Sequence, residues 1–270
     1  MPELPEVETV RRTLKNFVLH KTINLIEVRY PKIIDGDVET FVSTLIHQSI
    51  CDIDRYGKYL IFILDNDAFI SHLRMEGKYN IKMKDEPYDK HDHIIFHMTD
   101  GTDLRYNDTR KFGRMQLVDK KHYRKIPPLN RLGQEPMEAT FDYIYPRIHQ
   151  SHLPIKQLLL DQSIFTGIGN IYANEICFRM GMDPRTRGDR LSKKRIEELI
   201  EVSSTILKEA IAQGGTTIHS FDANGIHGLF QVTLSVHAQT ICSVCQGSIK
   251  KITIAGRGTY YCPHCQKRRY

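Results

Sequence analysis

The chain has 270 residues, 40% hydrophobic and 26% charged, which is enough apolar material for a core and too little bias for disorder, coiled coil or collagen. Its longest apolar run, YLIFIL at 59–64, is far short of the roughly 18 residues a membrane span needs. The opening MPELPEVETVRR carries three glutamates where a secretory signal has a basic start and an apolar stretch, so a cytoplasmic location is expected. The formal net charge of +6 is unevenly placed: no acidic residue follows Asp222, and Lys250, Lys251, Arg257, Lys267, Arg268 and Arg269 account for the whole excess. A localised basic segment reads as an anion-facing surface, with nucleic acid the first candidate and a merely solubilising tail the alternative.

In chain order, residues 5–18 read as a helix. Pro5 suits its first position, Glu6 and Glu8 complement its positive start, and Val7, Val10, Leu14 and Phe17 share a face. From 23 to 118, short runs rich in Val, Ile, Tyr and Phe (INLIEVRY, KYLIFIL, AFISHLRM, HIIFHM, DLRYN, GRMQLV) alternate with turn signals such as Asp65-Asn66-Asp67 and Asp100-Gly101, which predicts an antiparallel β-sandwich. RKIPPLNRLGQEP, 124–136, marks a linker. Helices are then expected at 155–161, 171–179 and 192–213, the last opening on Ser192 as N-cap and ending at Gly214-Gly215. At roughly 150 residues per domain, two main bodies are expected. The expected division is a β-sandwich with its N-terminal helix at 1–123, a linker at 124–136, a helical body at 137–222 and an appended hairpin at 223–270.

Four of the six cysteines fall as Cys242-x2-Cys245 and Cys262-x2-Cys265, a strong metal-site spacing. Two such knuckles complete a closed tetrahedral site, so one structural Zn2+ is expected, with no open position for chemistry. Disulfides are the competing reading, disfavoured in a cytoplasmic chain. The intervening SIKKITIAGRGTYY reads as a hairpin with Arg257 at its tip, a zinc ribbon. Four thiolates around one divalent ion carry −2, leaving the tail at about +4.

Gly167-Ile168-Gly169-Asn170 opens a predicted helix. Alone it is more simply a turn between helices; joined to the basic ribbon it becomes a candidate phosphate clamp. The N-terminus carries the least ordinary feature. Removal of Met1 before the small Pro2 would expose a secondary amine whose reference pKa, about 8, is well below lysine's, and the adjacent helix start favours its neutral, nucleophilic form. Such an amine attacking a sugar C1′ forms an iminium, an electron sink for elimination. Glu3 and Glu6 stand beside it as candidate proton carriers. A merely trimmed polar start is the plainer alternative.

PELPEVETVRR, RYGKYL around Lys58, HLRMEGKY around Met75, KHDH at 90–93, TRKFG around Arg110 and Phe112, GIGNIYANE around Asn170, and the ribbon with AGRGTYYCPHCQ together resemble the formamidopyrimidine-DNA glycosylase family from end to end. The resemblance implies an α+β multidomain fold: an N-terminal helix with an antiparallel β-sandwich, a helix-two-turn-helix domain and a four-cysteine zinc-ribbon hairpin. It implies a bifunctional glycosylase/AP lyase of damaged double-stranded DNA that removes oxidised purines (8-oxoguanine, formamidopyrimidines) and cuts the strand by β- and δ-elimination, acting as a monomer on the nucleoid. Pro2 then matches the Schiff-base amine, Glu3 the acid/base, Lys58 the β-elimination lysine, and Arg257 the phosphate-gripping residue of δ-elimination. Met75, Arg110 and Phe112 match the triad that fills the gap left by a flipped nucleotide. His72, His91, Lys156 and Asn170 match phosphate- or lesion-side contacts. The sequence departs from the family where SVHAQTICSVC leads into the first cysteine pair and where Gln134 replaces a common proline, which bears on ribbon docking and linker stiffness.

Two other readings are open: an endonuclease VIII-type enzyme for oxidised pyrimidines, and a non-enzymatic zinc-ribbon DNA-binding protein. Leu4 and the Met-Arg-Phe triad favour the purine enzyme over the first, since the sister class usually has glycine at the Leu4 position. For the second, Pro2, Glu3 and Lys58 would be incidental.

Overall fold

The computed structural model describes residues 1–215 and 234–268; the stretch around Thr216–His227, where a lesion-reading role was open, lies outside them. The chain divides into two compact units, the first spanning Met1–Asn130 and the second beginning at Arg131. No helix among the described residues is long and apolar enough to cross a membrane.

The first unit opens with α1 (Leu4–Val18). The helix starts one residue before the expected position, so Pro5 occupies its second position, where its missing N–H still costs no hydrogen bond. Glu3 is the N-cap, and the Glu6 carboxylate turns back to accept the Glu3 N–H at 2.8 Å, one arm of a capping box. Val7, Val10, Leu14 and Val18 enter the core. After β1 (Ile23–Val28), the chain forms a short helix that sequence reading missed, α2 (Val38–Leu45), capped by Asp37.

Seven strands follow: β2 (Ile50–Tyr56), β3 (Tyr59–Leu64), β4 (Ala68–His72), β5 (Lys78–Met83), β6 (Asp92–Met98), β7 (Thr102–Asn107) and β8 (Arg114–Val118). With β1 they build two four-stranded antiparallel sheets, ordered β1-β6-β7-β5 and β2-β3-β4-β8. Aromatic rings fill the sandwich: Phe69 stacks on Phe62 at 4.5 Å and on Phe96 at 5.4 Å between ring centroids. β2 and β5 were not foreseen, because half of β2 is Cys51, Asp52, Asp54 and Arg55 and half of β5 is lysine and asparagine.

The topology decides where the functional loops lie. β4 and β8 are neighbours in one sheet, and β5 and β7 are neighbours in the other. The β4–β5 turn and the β7–β8 loop therefore cross between the sheets side by side.

One buried carboxylate fixes α1 to its sheet. Glu8, 6% exposed, bonds Arg11 (2.9 and 2.7 Å), Arg12 (2.8 Å) and Arg55 on β2 (3.0 Å). Burial alone would raise its pKa, but hydrogen bonds from the three guanidiniums outweigh that and bring it to about 2. Arg55 also donates to Gly57 O at 3.1 Å, so one chain of contacts runs from α1 to the β2–β3 turn.

The second unit contains α3 (Phe141–His149), α4 (Ile155–Leu160), α5 (Asn170–Arg179), α6 (Lys193–Ala212) and the hairpin β9 (Lys250–Ile254) and β10 (Arg257–Tyr261). Ser192 caps α6 by accepting from Arg195 N–H, and the helix stops before Gly214 and Gly215, both at positive φ. α3 was missed, Pro146 inside it arguing against a helix. The 124–136 stretch is not merely polar: it carries two 3-10 turns and buries Leu129 and Glu135. Gln134 is pinned within this second unit, its side chain accepting from Thr140 N–H at 2.9 Å and its carbonyl from Thr166 N–H at 3.1 Å.

The depressed pKa of Glu8 predicts a pH signature. A carboxylate at about 2 when folded and near 4.5 when unfolded stabilises fully above the unfolded value, and the contribution disappears as pH falls through the folded one. Solvent screens the outer pairs, since Arg12 is 60% exposed, so Glu8→Gln is expected to cost about 1–2 kcal/mol at pH 7. Urea unfolding at a series of pH values should show the difference from wild type shrinking from about pH 4.5 downward.

Candidate functional site

In the first unit, Pro2 is half-buried just ahead of α1 and Glu3 is 2% exposed at its N-cap. Glu6, expected beside them as a proton carrier or DNA contact, is buried and holds the Glu3 N–H. Its visible role is to fix the backbone next to Pro2.

Lys58 occupies the β2–β3 hairpin. Tyr56 pairs with Tyr59, leaving Gly57-Lys58 as a two-residue turn with Gly57 at φ 57°. The lysine is only 6% exposed. His72, at the end of β4, pairs with Tyr59 and meets its ring edge-on at 4.5 Å. Burial, then the positive charges of Arg74 and Lys58, push the His72 pKa down to about 3, so the ring is neutral at physiological pH. Its Nδ1 accepts from Arg74 N–H at 2.9 Å, which leaves the ring proton on Nε2 as a donor. A neutral donor with its tautomer fixed is suited to a phosphate oxygen or a sugar hydroxyl.

The structure brings Met75, Arg110 and Phe112 together. Met75 is on the β4–β5 turn, closed by Gly77 N–H to Leu73 O at 2.9 Å. Arg110 and Phe112 are on the β7–β8 loop, with the guanidinium 4.7 Å from the ring centroid and Phe112 47% exposed. The Thr109 hydroxyl bonds the Glu76 carboxylate, tying loop to turn. Asp108, fully buried, accepts from the backbone N–H of Arg110 (3.0 Å), Phe112 (2.9 Å) and Gly113 (2.8 Å). The Tyr106 hydroxyl sits between Gly77 and Gly113; a Cβ at these positions would lie 2.2 and 1.6 Å from it. Both glycines are there because the ring leaves no room for a side chain. Of the three residues the resemblance singles out, Arg110 and Phe112 are exposed and Met75 is half-buried; sequence reading missed Tyr106 and Asp108 beneath them. His91, half-buried, ends the β5–β6 connection with its N–H held by Asp89 at 2.7 Å.

In the second unit, Ile254 pairs with Arg257, so the hairpin turn is Ala255-Gly256, both at positive φ. Arg257 is therefore not at the tip: it is the first residue of β10, exposed beside the turn. Lys156, expected at a phosphate, is fully buried and donates to Gly258 O at 3.0 Å and Thr259 Oγ1 at 2.7 Å. Its role here is to brace the strand behind Arg257. Asn170, first residue of α5, donates to the same Gly258 carbonyl at 3.1 Å, so the start of α5 and Arg257 flank one point of the ribbon. Glu175 was also missed: its carboxylate accepts from Ser235, Val236 and His237 N–H at 2.8–3.0 Å and seats the approach to the ribbon. Burial, then the nearby Lys156 charge, lower the His237 pKa to about 4.

The four cysteine sulfurs lie within 4.8 Å of one another, with Cys242–Cys265 at 3.8 Å and Cys245–Cys262 at 3.5 Å. Those separations are too long for S–S bonds and close to the ~3.8 Å edge of a tetrahedron with Zn–S of ~2.3 Å. The donors therefore fit a closed zinc centre.

Three family models match: the formamidopyrimidine-DNA glycosylase N-terminal domain over 1–115, its H2TH domain over 132–222, and the zinc finger found in FPG and IleRS over 242–268. A formamidopyrimidine-DNA glycosylase of Lactobacillus helveticus is 47% identical over 98% of this chain and 99% of its own, and one of Bacillus subtilis is 45% identical over the full length of both. A Lactococcus lactis Fpg variant crystallised with Fapy-dG-containing DNA superposes with a TM-score of 0.94 at 37% identity, covering 99% of this chain and all of the other. The Lactococcus lactis protein with abasic-site DNA gives 0.92 at 36% over 98% and 100%. The chain belongs to the formamidopyrimidine-DNA glycosylase family, and its four-cysteine cluster is a structural zinc site.

Gly113→Ala is expected to destabilise the first unit by about 2–3 kcal/mol, as overpacking does, and to weaken binding to a duplex carrying an abasic-site analogue. Adding Tyr106→Phe should recover only part of the stability, because the ring carbon still lies 2.6 Å from the new Cβ. Strict additivity of the two changes in urea unfolding would contradict the wedge.

Proposed function

We propose that this chain is a bifunctional DNA glycosylase/AP lyase that excises oxidised purines from duplex DNA. The observation that carries this reading is the union of family membership along the whole chain with a Pro-Glu start whose backbone is capped by Glu6 and whose helix is bonded to the lysine-bearing turn through Glu8 and Arg55. The Lactococcus lactis relatives are described with Fapy-dG and abasic-site DNA, which favours the purine enzyme over the pyrimidine class and over a pure binder. A cytoplasmic, nucleoid-associated location belongs to the same reading.

Removal of Met1 frees the Pro2 nitrogen. Its lone pair attacks C1′ of the damaged nucleotide and the N-glycosidic bond breaks, the base leaving with the electron pair and taking a proton. Glu3 delivers a proton to the ring oxygen as the C1′–O4′ bond breaks, and the nitrogen, having lost its own proton, forms a double bond to C1′ as an iminium. Loss of a C2′ proton, in which Lys58 takes part, expels the 3′ phosphate; loss of a C4′ proton expels the 5′ phosphate. Arg257 holds the phosphate, and the neutral His72 donates from Nε2. Met75 and Phe112 fill the gap in the stack while Arg110 bonds the orphaned partner base. Zinc enters no step; it folds the ribbon that presents Arg257.

Untagged protein lacking Met1 is expected to release the base from a duplex with 8-oxoguanine opposite cytosine and leave phosphates at both ends of the gap. Pro2→Gly should lower strand cleavage at least a hundredfold. Turnover confined to an oxidised-pyrimidine duplex would move the reading to the sister class, and tight binding without cleavage would leave a binding protein.

A further inference from the structure

Arg105, on β7, is 1% exposed, among the largest fully buried side chains of the protein. Its Nε and Nη2 grip Asp103 at 3.1 and 2.9 Å. Nη2 also donates to Met83 O (3.2 Å) and Glu86 O (2.9 Å), and Nη1 to Pro87 O at 3.0 Å. Tyr88 lies over the guanidinium at 4.4 Å. One side chain therefore collects the last carbonyl of β5, Met83 O, and two carbonyls of the connection between β5 and β6, Glu86 O and Pro87 O, which lie outside any strand ladder. Only the planar, five-donor fork of arginine matches that geometry; a lysine is a point charge with three donors.

That connection ends at Lys90-His91. Asp89 accepts from His91 N–H at 2.7 Å and is itself held by Asn107. Asp92 caps Asp89 N–H at 3.0 Å and lies 3.8 Å from Arg105. The His91 carbonyl in turn accepts from the N–H of Asp108, the carboxylate that shapes the loop of Arg110 and Phe112. The contacts run without a break from Arg105 through the 84–91 connection to the gap-filling loop.

We infer that Arg105 is a positioning residue for DNA recognition: it moulds the β5–β6 connection so that His91 meets the duplex in register with the Arg110–Phe112 loop. The inference rests on the reading of His91 as a DNA contact. A residue that only stabilised the sheet would lower affinity independently of His91, whereas a positioning residue makes the His91 contribution vanish when it is changed.

The test is a pair of double-mutant cycles read by fluorescence anisotropy on a duplex carrying an abasic-site analogue, at fixed salt, with zinc-loaded full-length protein. His91→Ala is expected to weaken binding about tenfold in the wild-type background and less than twofold in Arg105→Lys, while Arg257→Ala keeps its full effect in both. Should Arg105→Lys fail to fold by circular dichroism, Asp89→Ala carries the same cycle from the surface and should also blunt His91→Ala. Full additivity of His91→Ala with the folded variant overturns the inference, as does an unchanged affinity for His91→Ala alone. Base release by the wild-type protein from an 8-oxoguanine duplex is scored separately, and its absence would count against the glycosylase reading rather than against the positioning of His91.

Discussion

The carboxylate of Glu8 holds the reactive end of the protein in place. A buried acid would ordinarily take up a proton, and here three guanidiniums keep it charged. Arg11 and Arg12 come from its own helix, but Arg55 comes from the neighbouring sheet and continues to the carbonyl of Gly57. The helix that begins at Glu3 and the turn that carries Lys58 are thereby fixed to one another. Such an arrangement does little for net stability compared with apolar packing. Its value is geometric: it ties the start of α1 to the turn that carries Lys58.

The same device recurs wherever a functional segment lacks regular hydrogen bonding. Asp108 gathers three amides beneath Arg110 and Phe112, Glu175 gathers three ahead of the ribbon, and Arg105 gathers three carbonyls beneath the approach to His91. Buried charge is costly unless fully bonded, and here the backbone does the bonding. The exposed residues on these segments are left to contact a ligand while buried ones set their course.

The residues proposed to carry the chemistry were legible in the sequence, and the buried groups that support them were not. The cysteine spacing and the Pro-Glu start stand out by residue type and interval, whereas Lys58 and the Met-Arg-Phe set are legible only through the family resemblance. Glu8, Arg55, Arg105 and Asp108 look like ordinary surface charges, since their partners lie across strands or are backbone groups. Lys156, which the resemblance gives as a phosphate- or lesion-side contact, is packed inside against Gly258 and Thr259, a placement that residue type alone does not reveal. The hairpin tip slipped by one residue because alanine rarely takes positive φ, as Ala255 does. β2 and β5 escaped because partly exposed strands at a sheet edge need few apolar residues.

The central claim is that the chemistry begins on the nitrogen of Pro2. Borohydride reduction during turnover of an 8-oxoguanine duplex, followed by proteolysis and mass spectrometry of the adduct, tests it most directly. The account predicts a single sugar adduct on the N-terminal peptide, attached to Pro2. An adduct on Lys58, or none from protein that lacks Met1 and binds the duplex, would contradict it.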